Sequence, residues 1–208
     1  MIDSTAGPER EGPADRGQLR QHVDRLLGAG RVEEAATALR RLVTRYPDDG
    51  AAHLALGTVL ASHGRAGLAV THLNRAVQLV PHDAAAALAC GKARLSAGDP
   101  IGAAAMFRRA AVLSPALADG HFQLGVATHK HGRHDLALAA QALACQLQPA
   151  HAGAQFCRAR ALFLLGRDNE ADAAFARSVA LDAGLRREWS ILRRTLRPVD
   201  VSRIARPR

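Results

Sequence analysis

Aromatic side chains are scarce in this chain of 208 residues. They make up 3% of the sequence, whereas hydrophobic residues make up 48%, and alanine supplies much of that hydrophobic fraction. β-Strands favour branched and aromatic side chains, so the composition argues against a sheet protein. Alanine is the strongest helix former, and small side chains let helices approach closely. The composition therefore predicts an all-α chain.

Cysteine is rare as well. The three cysteines, Cys90, Cys145 and Cys157, are odd in number and include no closely spaced pair. This pattern excludes a disulfide framework and a CxxC metal site. We interpret these residues as small apolar side chains that fill space between helices.

Catalytic motifs and membrane segments are also missing. No serine or cysteine has an obvious histidine and acid partner, and no glycine-rich loop suits a phosphate, so we expect no enzymatic activity and no cofactor. The first residues contain no apolar run of the kind that a signal peptide needs. Residues 136–157 lack charged groups, but their polar residues are incompatible with lipid: Gln141, Gln146, Gln148, Pro149 and His151. We expect a cytoplasmic protein.

A strict 34-residue period dominates what the sequence does contain. Prolines stand at 47, 81, 115 and 149, and glycines recur in a second register at 30, 64, 98, 132 and 166. Alanines form a third register at 35, 69, 103, 137 and 171. Such a period is typical of repeat architectures. It predicts five units, at residues 16–49, 50–83, 84–117, 118–151 and 152–183.

Each unit is predicted to form an antiparallel helix-turn-helix. The glycine falls where a first helix must end and turn, and the proline falls where a second helix has ended. Asp99 and Pro100 supply an N-cap and a first-turn proline for one second helix. Asp48, Asp49 and Asp83 are placed to cap the hairpins that follow them.

The unit resembles the tetratricopeptide repeat. That family has small residues at positions eight, twenty and twenty-seven and a proline at thirty-two, and this chain has Gly57, Gly91 and Gly125 at position eight and alanine at position twenty throughout. The usual aromatic residues at positions four and eleven are absent. The resemblance covers residues 16–183 and implies a right-handed solenoid of five helical hairpins that binds other proteins.

Both ends of the chain differ from the repeats. Residues 1–15 carry a net charge of −3 and are expected to form a disordered acidic segment. In residues 184–197, four apolar residues share one helical face, and Pro198 follows too soon for a partner helix. We therefore expect a capping helix at 184–197 and a basic tail at 198–208. The apolar residues of that face are Leu185, Trp189, Leu192 and Leu196.

The resemblance also predicts a partner-binding groove. In the family, first-helix positions such as five, nine and thirteen line the concave side, where a peptide is held. Here they form an apolar row edged by basic residues, which suits a peptide that is apolar with some acidic residues. The alternative is that neighbouring first helices bury part of this row. The predicted groove residues are Leu54, Thr58, Leu88, Lys92, Phe122, Val126, Lys130, Phe156 and Arg160.

Chaperone tails are disfavoured as the peptide. Family members that bind them hold a carboxylate with a clamp of lysine, asparagine and arginine, and neither matching set here can form that clamp. The matching residues are Arg20, Asp24, Ala55, Ala85 and Ala89, or, one repeat later, Leu54, Thr58, Ala89, Asp119 and Gln123.

A second function is conceivable for the C-terminal arginines. Residues 184–208 carry a net charge of +6, which suits nucleic acid or an anionic membrane surface. The chain lacks the aromatic residues and reader motifs that nucleic-acid binding usually employs. The sequence therefore favours a scaffold or adaptor, with anion binding as the alternative. The basic patch comprises Arg186, Arg187, Arg193, Arg194 and Arg197.

Two polar features lie in the fourth unit. His129, His131 and His134, with Asp135, are candidate metal ligands, although their spacing straddles a turn and favours solvated histidines instead. Thr128 and Gln141 occupy facing core positions and are predicted to form a hydrogen-bonded pair, unless Gln141 points to solvent.

Overall fold

The computed structural model describes residues 13–195, with side chains from Arg16 onward, and every regular element in that range is an α-helix. The helices belong to two compact units, one ending at Pro81 and the other beginning at His82. The first unit contains α1 (Pro13–Gly28), α2 (Val32–Arg45), α3 (Gly50–Ser62) and α4 (Ala66–Leu79). The second contains α5 (Ala84–Ser96), α6 (Pro100–Leu113), α7 (Ala118–Lys130), α8 (His134–Leu147), α9 (Ala152–Leu164), α10 (Asp168–Leu181) and α11 (Leu185–Thr195). The predicted all-α fold is confirmed.

Helix α1 begins inside the segment that was expected to be disordered. It starts at Pro13, whose fixed φ and missing N–H suit a first helical turn. The rest of the acidic segment, residues 1–12, lies outside the described residues, as do Leu196, Arg197 and the basic tail at 198–208.

The glycine register forms the turns within the hairpins. Gly30, Gly64, Gly98, Gly132 and Gly166 all have positive φ, from 69° to 81°. This left-handed conformation costs an ordinary residue about 1–2 kcal/mol, which explains why glycine recurs there. In the third hairpin, the N–H of Asp99 donates to the carbonyl of Arg94, which closes the end of α5.

Small residues let the two helices of a hairpin touch. The alanines at position twenty are at most 1% exposed. A Cβ on Gly57 would lie 2.5 Å from Leu73 Cγ, and one on Gly91 would lie 2.5 Å from Phe107 Cε1. Large side chains at position twenty-four therefore fill the space that the position-eight glycines leave open.

Aspartates cap the helices as the sequence predicts at three places. The carboxylate of Asp49 accepts from the N–H of Ala52 at 3.0 Å, that of Asp83 from Ala85 at 2.8 Å, and that of Asp99 from Gly102 at 2.8 Å. Asp48 is different, because it forms an ion pair with Arg16 at 2.9 Å.

The predicted bond between Thr128 and Gln141 is wrong. The Thr128 hydroxyl donates to the carbonyls of Leu124 and Gly125 in its own helix. Gln141 is 1% exposed, so it does not face solvent either, and its Nε2 donates to the carbonyl of Phe122 at 3.1 Å. A hydroxyl in a helix readily bonds the preceding turn, which leaves the glutamine to find a backbone acceptor.

Helix α11 covers the end of the fifth hairpin. Trp189 and Leu192 are buried, and the Trp189 ring stacks on Phe175 with centroids 4.8 Å apart. Arg193 forms an ion pair with Asp172 of α10 at 3.1 Å and lies over the Trp189 ring. Within residues 13–195, no helix is both long enough and apolar enough to cross a membrane.

Candidate partner-binding face

The predicted groove residues occupy one side of the first helices, because positions five, nine and thirteen are spaced by four residues along each helix. We call this side the first-helix face. In the second unit it is carried by α5, α7 and α9, which are neighbours in that order. In the first unit, α3 supplies Leu54, which is half-buried, and Thr58, which is exposed.

A cavity that the sequence did not predict opens in the first unit between α1, α2 and α3. Its volume is about 190 Å³. Arg20 and Asp24 lie on its wall and hold in α1 the positions that Leu54 and Thr58 hold in α3. The same register could have identified it, but the polar character of these two residues concealed it. The lining comprises Arg20, Val23, Asp24, Leu39, Leu42, Ala51, Ala52 and Ala55.

Arg20 is already engaged. Its guanidinium donates two bonds to the buried carboxylate of Asp49, at 2.6 and 2.9 Å. Burial alone would raise the pKa of Asp49, but the bonds from Arg20 and from the N–H of Ala52 lower it overall. This pair therefore joins α1 to the start of α3 and leaves little of Arg20 for a ligand.

Two of the aromatic and apolar positions in the second unit are largely packed inside it. Phe156 is only 7% exposed and contacts the Trp189 ring edge-on, with centroids 6.2 Å apart. The expectation that Phe156 is exposed to a partner is therefore wrong, because the capping helix covers it. Leu88 packs against the core around Phe107. The alternative that neighbouring helices bury part of the row holds at both positions.

The part of the row that remains accessible lies on α7. Phe122 is half-buried, with its ring tilted against that of His151 at a centroid distance of 4.6 Å. Val126 is half-buried, and Lys130 is exposed. These three side chains give the second unit a small apolar surface with a cation beside it.

The basic residues of the face differ in what they bind. Lys92 on α5 is exposed and forms an ion pair with Asp119 of α7 at 2.7 Å. Arg160 on α9 is half-buried and has no such partner among the described residues. Its Nη2 lies 3.7 Å from the sulfur of Cys157, and its buried Nε has no hydrogen-bond acceptor there. Arg160 is thus a cation that the fold has not compensated.

The predicted histidine site is only partly assembled. His129 and His134 meet, with their Nδ1 atoms 3.2 Å apart, while His131 is exposed at the end of α7. Burial, together with the positive charge of Arg160, lowers the pKa of His129 to about 4. Asp135 is bonded to Arg133 instead. In residues 13–195, no group of three or more His, Cys, Asp or Glu side chains is placed to hold a metal ion.

A second histidine pair escaped the sequence reasoning. His53 of α3 and His72 of α4 approach with their Nδ1 atoms 3.1 Å apart. Burial is the main cause that lowers the pKa of each. Because positions four and twenty-three face each other across the hairpin, the repeat register could have predicted this pair.

The basic patch is divided between two roles. Arg193 serves the cap, whereas Arg186, Arg187 and Arg194 are exposed, and Arg197 lies outside the described residues. Trp189 is buried, so the described part of the patch offers no tryptophan for stacking on a base.

Turn glycines in a fixed register, tightly packed hairpins and a side-chain row along the first helices together define a helical-repeat protein that presents a surface to other proteins. A family model of the tetratricopeptide repeat matches residues 20–84 and 88–152. The chain belongs to this family, whose members are protein-interaction scaffolds.

Solved structures share this fold. MamA is 23% identical over 78% of this chain and 95% of that chain, with a TM-score of 0.74. A MamA structure from Desulfovibrio magneticus RS-1, covering its residue 41 to the end, is 20% identical over 82% of this chain and 97% of that one, with a TM-score of 0.75. YrrB, described as a TPR protein with an unusual peptide-binding site, is 16% identical over 86% and 91%, with a TM-score of 0.75. No curated protein matches in sequence.

Proposed function

We propose that this protein is a non-catalytic scaffold or adaptor that binds a peptide segment of a partner protein along its first-helix face. The observation that carries the proposal is the accessible surface of α7, where Phe122 and Val126 are only half-buried and Lys130 is exposed. The segment is apolar with some acidic residues, because it must match both the apolar surface and the basic residues around it.

The peptide-binding site in the description of YrrB supports this proposal at the level of the fold. The charge pattern of the face supports the acidic component of the segment, since Arg160 lacks a carboxylate partner within the described part of the chain. The anion-binding alternative now depends on Arg186, Arg187 and Arg194, because Arg193 is engaged in the cap. That alternative stays a prediction.

Photo-cross-linking inside the source cells tests the proposal. A photoreactive amino acid replaces Val126 on α7 or, as a matched control, Val112 on α6, which is 74% exposed on a second helix. We expect a protein adduct from position 126 and a much weaker one from position 112. Adducts of equal yield at both positions, or adducts at position 112 alone, would contradict the assignment of this face.

A further inference from the structure

Helix α11 does more than close the end of the second unit, because it keeps the register of a first helix. Counting 34 residues on from α9 places Trp189 at position four, Leu192 at position seven and Arg193 at position eight. Trp189 and Leu192 are buried, and Arg193 reaches Asp172 of α10. The inward face of α11 is therefore the same face that α9 turns toward α10.

The opposite side of α11 follows from that register. Arg187, Ile191 and Arg194 occupy positions two, six and nine, the positions that line the first-helix face elsewhere. All three are exposed, and Ile191 is 50% exposed despite being apolar. The first-helix face of the second unit thus extends from α5 through α7 and α9 onto α11.

Position nine is cationic along most of this extended face. It holds Lys92 in α5, Val126 in α7, Arg160 in α9 and Arg194 in α11. Lys92 is neutralised by Asp119. Within residues 13–195, neither Arg160 nor Arg194 forms an ion pair, so the uncompensated positive charge is concentrated at the end formed by α9 and α11.

The surroundings of Arg160 do not supply the missing negative charge. Burial raises the pKa of the Cys157 thiol, which keeps it protonated near neutral pH. The nearby His129 and His134 are uncharged there, because burial lowers both pKa values. Glu188 on α11 acts on Cys157 and is not ion-paired with either arginine. A half-buried guanidinium in this setting favours an incoming carboxylate, since few water molecules compete for it.

We propose that Arg160 and Arg194 bind two carboxylate side chains of the partner segment, so that α11 is a wall of the binding face. This inference rests on the proposed function. Adjacent packed helices lie about 8–10 Å apart. An extended peptide rises about 3.3 Å per residue, so two acidic residues three positions apart span that distance. Ile191 and Phe122 supply apolar contact beside the two arginines.

Peptides are favoured over nucleic acids by the aromatic residues near this end. Single-stranded nucleic acids bind to exposed rings on which bases stack. Phe156, Phe163 and Trp189 are all buried here, at 7%, 5% and 5% exposure. An apolar side chain between two cations, as at Ile191, suits a segment that mixes acidic and apolar residues.

Peptide selection on the full chain tests the inference. A library of random twelve-residue peptides is selected on the wild-type protein, on Arg160→Ala/Arg194→Ala, and on Arg108→Ala/Arg177→Ala, which removes the same charge from second helices. We expect the wild type and the control to enrich Asp or Glu at a spacing of three, together with apolar residues. The test variant should retain the apolar preference and lose the acidic one.

Binding measurements on one selected peptide complete the test. We expect Arg160→Ala to weaken binding about tenfold, because its site is half-buried, and the exposed Arg194→Ala to weaken it about threefold. Arg194→Glu should bind poorly and recover when the matching acid of the peptide becomes lysine, which a folding defect would not allow.

The outcomes separate the two proposals. Peptides that compete with a Val126→Glu change but show no acidic preference would overturn the carboxylate site and keep the groove. Peptides insensitive to every change on the face, or no enriched peptide, would overturn both. Binding to single-stranded DNA or to vesicles containing phosphatidylserine that depends on Arg160 and Arg194, without a peptide preference, would replace the peptide by an anionic polymer or surface and overturn the inference.

Discussion

Gln141 occupies a core position that leucine or phenylalanine holds in the other four units. Its side chain is 1% exposed, and its Oε1 has no hydrogen-bond partner among the described residues. A buried polar atom without a partner costs about 1–3 kcal/mol, whereas the bond from Nε2 to a helical carbonyl returns about 1 kcal/mol. The fourth hairpin therefore contains a side chain that lowers its stability.

Replacing Gln141 with leucine should raise the free energy of unfolding by about 1 kcal/mol, because the volume is conserved while the unpaired oxygen is removed. Urea denaturation of Gln141→Leu measures this gain. The control is Gln146→Leu, at an exposed position of the same helix, where no gain is expected. A loss of stability in Gln141→Leu would show that the bond to the Phe122 carbonyl outweighs the unpaired oxygen.

His129 should make stability depend on pH. Burial and the charge of Arg160 lower its pKa in the folded chain to about 4. The ordinary value is about 6.5, so the unfolded chain binds the extra proton first, and stability is lost as pH falls from about 6.5 toward about 4. His53, His72 and His134 act in the same direction, since burial lowers each pKa.

Comparing unfolding free energies at pH 7 and pH 5 checks this effect. His129→Gln should reduce the loss of stability between these values by an amount on the order of 1 kcal/mol relative to the wild type. His131→Gln, at the exposed neighbouring position, should leave the loss unchanged. An equal loss in the wild type and in His129→Gln would show that the His129 proton does not contribute.

Turn glycines illustrate how a helix ends in this fold. Gly98 has φ of 81°, and a Cβ there would meet no neighbouring atom. Gly98→Ala should therefore cost about 1–2 kcal/mol through backbone strain alone. Gly67→Ala, at an open position in α4, should be neutral or stabilising, because alanine favours a helix. Thermal unfolding compares the two, and an equal effect of both changes would contradict the account of the turn.

Helix α11 should support the hairpin formed by α9 and α10. Trp189 contacts the rings of Phe156, Phe163 and Phe175, and truncating such a buried aromatic residue costs about 3–5 kcal/mol. Trp189→Ala should therefore lower the melting temperature and speed amide exchange in α9 and α10. Ile191→Ala, at a half-exposed position of α11, should change stability by less than about 0.5 kcal/mol. Unchanged exchange in Trp189→Ala would argue against a capping role.

Local features of the helices and turns could be predicted from the sequence, because they depend on neighbouring residues in the chain. The positive φ at Gly30 and the caps at Asp83 and Asp99 are of this kind. The depth of a side chain is different. Phe156 shares a register with Phe122, yet it is buried, because Trp189 of a later helix covers it. Which positions of a repeat remain accessible thus depends on packing between helices.

The candidate face follows the same division. The register identified which side of the first helices carries Val126, Lys130 and Arg160, and the accessibility of these three residues agrees with a surface position. It did not reveal that Lys92 is neutralised by Asp119 or that Arg20 is held by Asp49. Ion pairs between helices distinguish cations that stabilise the fold from those left for a partner.

Across the molecule, a protein-interaction role depends on one side of the first helices. The tetratricopeptide repeat supplies a stack of hairpins, and this chain varies the side chains at positions five, nine and thirteen from unit to unit. Sequence variation on a constant backbone is how a repeat protein acquires a partner of its own. The second unit has the clearest combination of apolar surface and free positive charge.

Hydrogen–deuterium exchange of the full chain, with and without its captured partner segment, tests this central claim most directly. We predict slower amide exchange in α7, α9 and α11 when the segment is bound, with α6, α8 and α10 little changed. Protection confined to α6, α8 and α10, or no protection in the presence of a bound segment, would contradict the assignment of binding to the first-helix face.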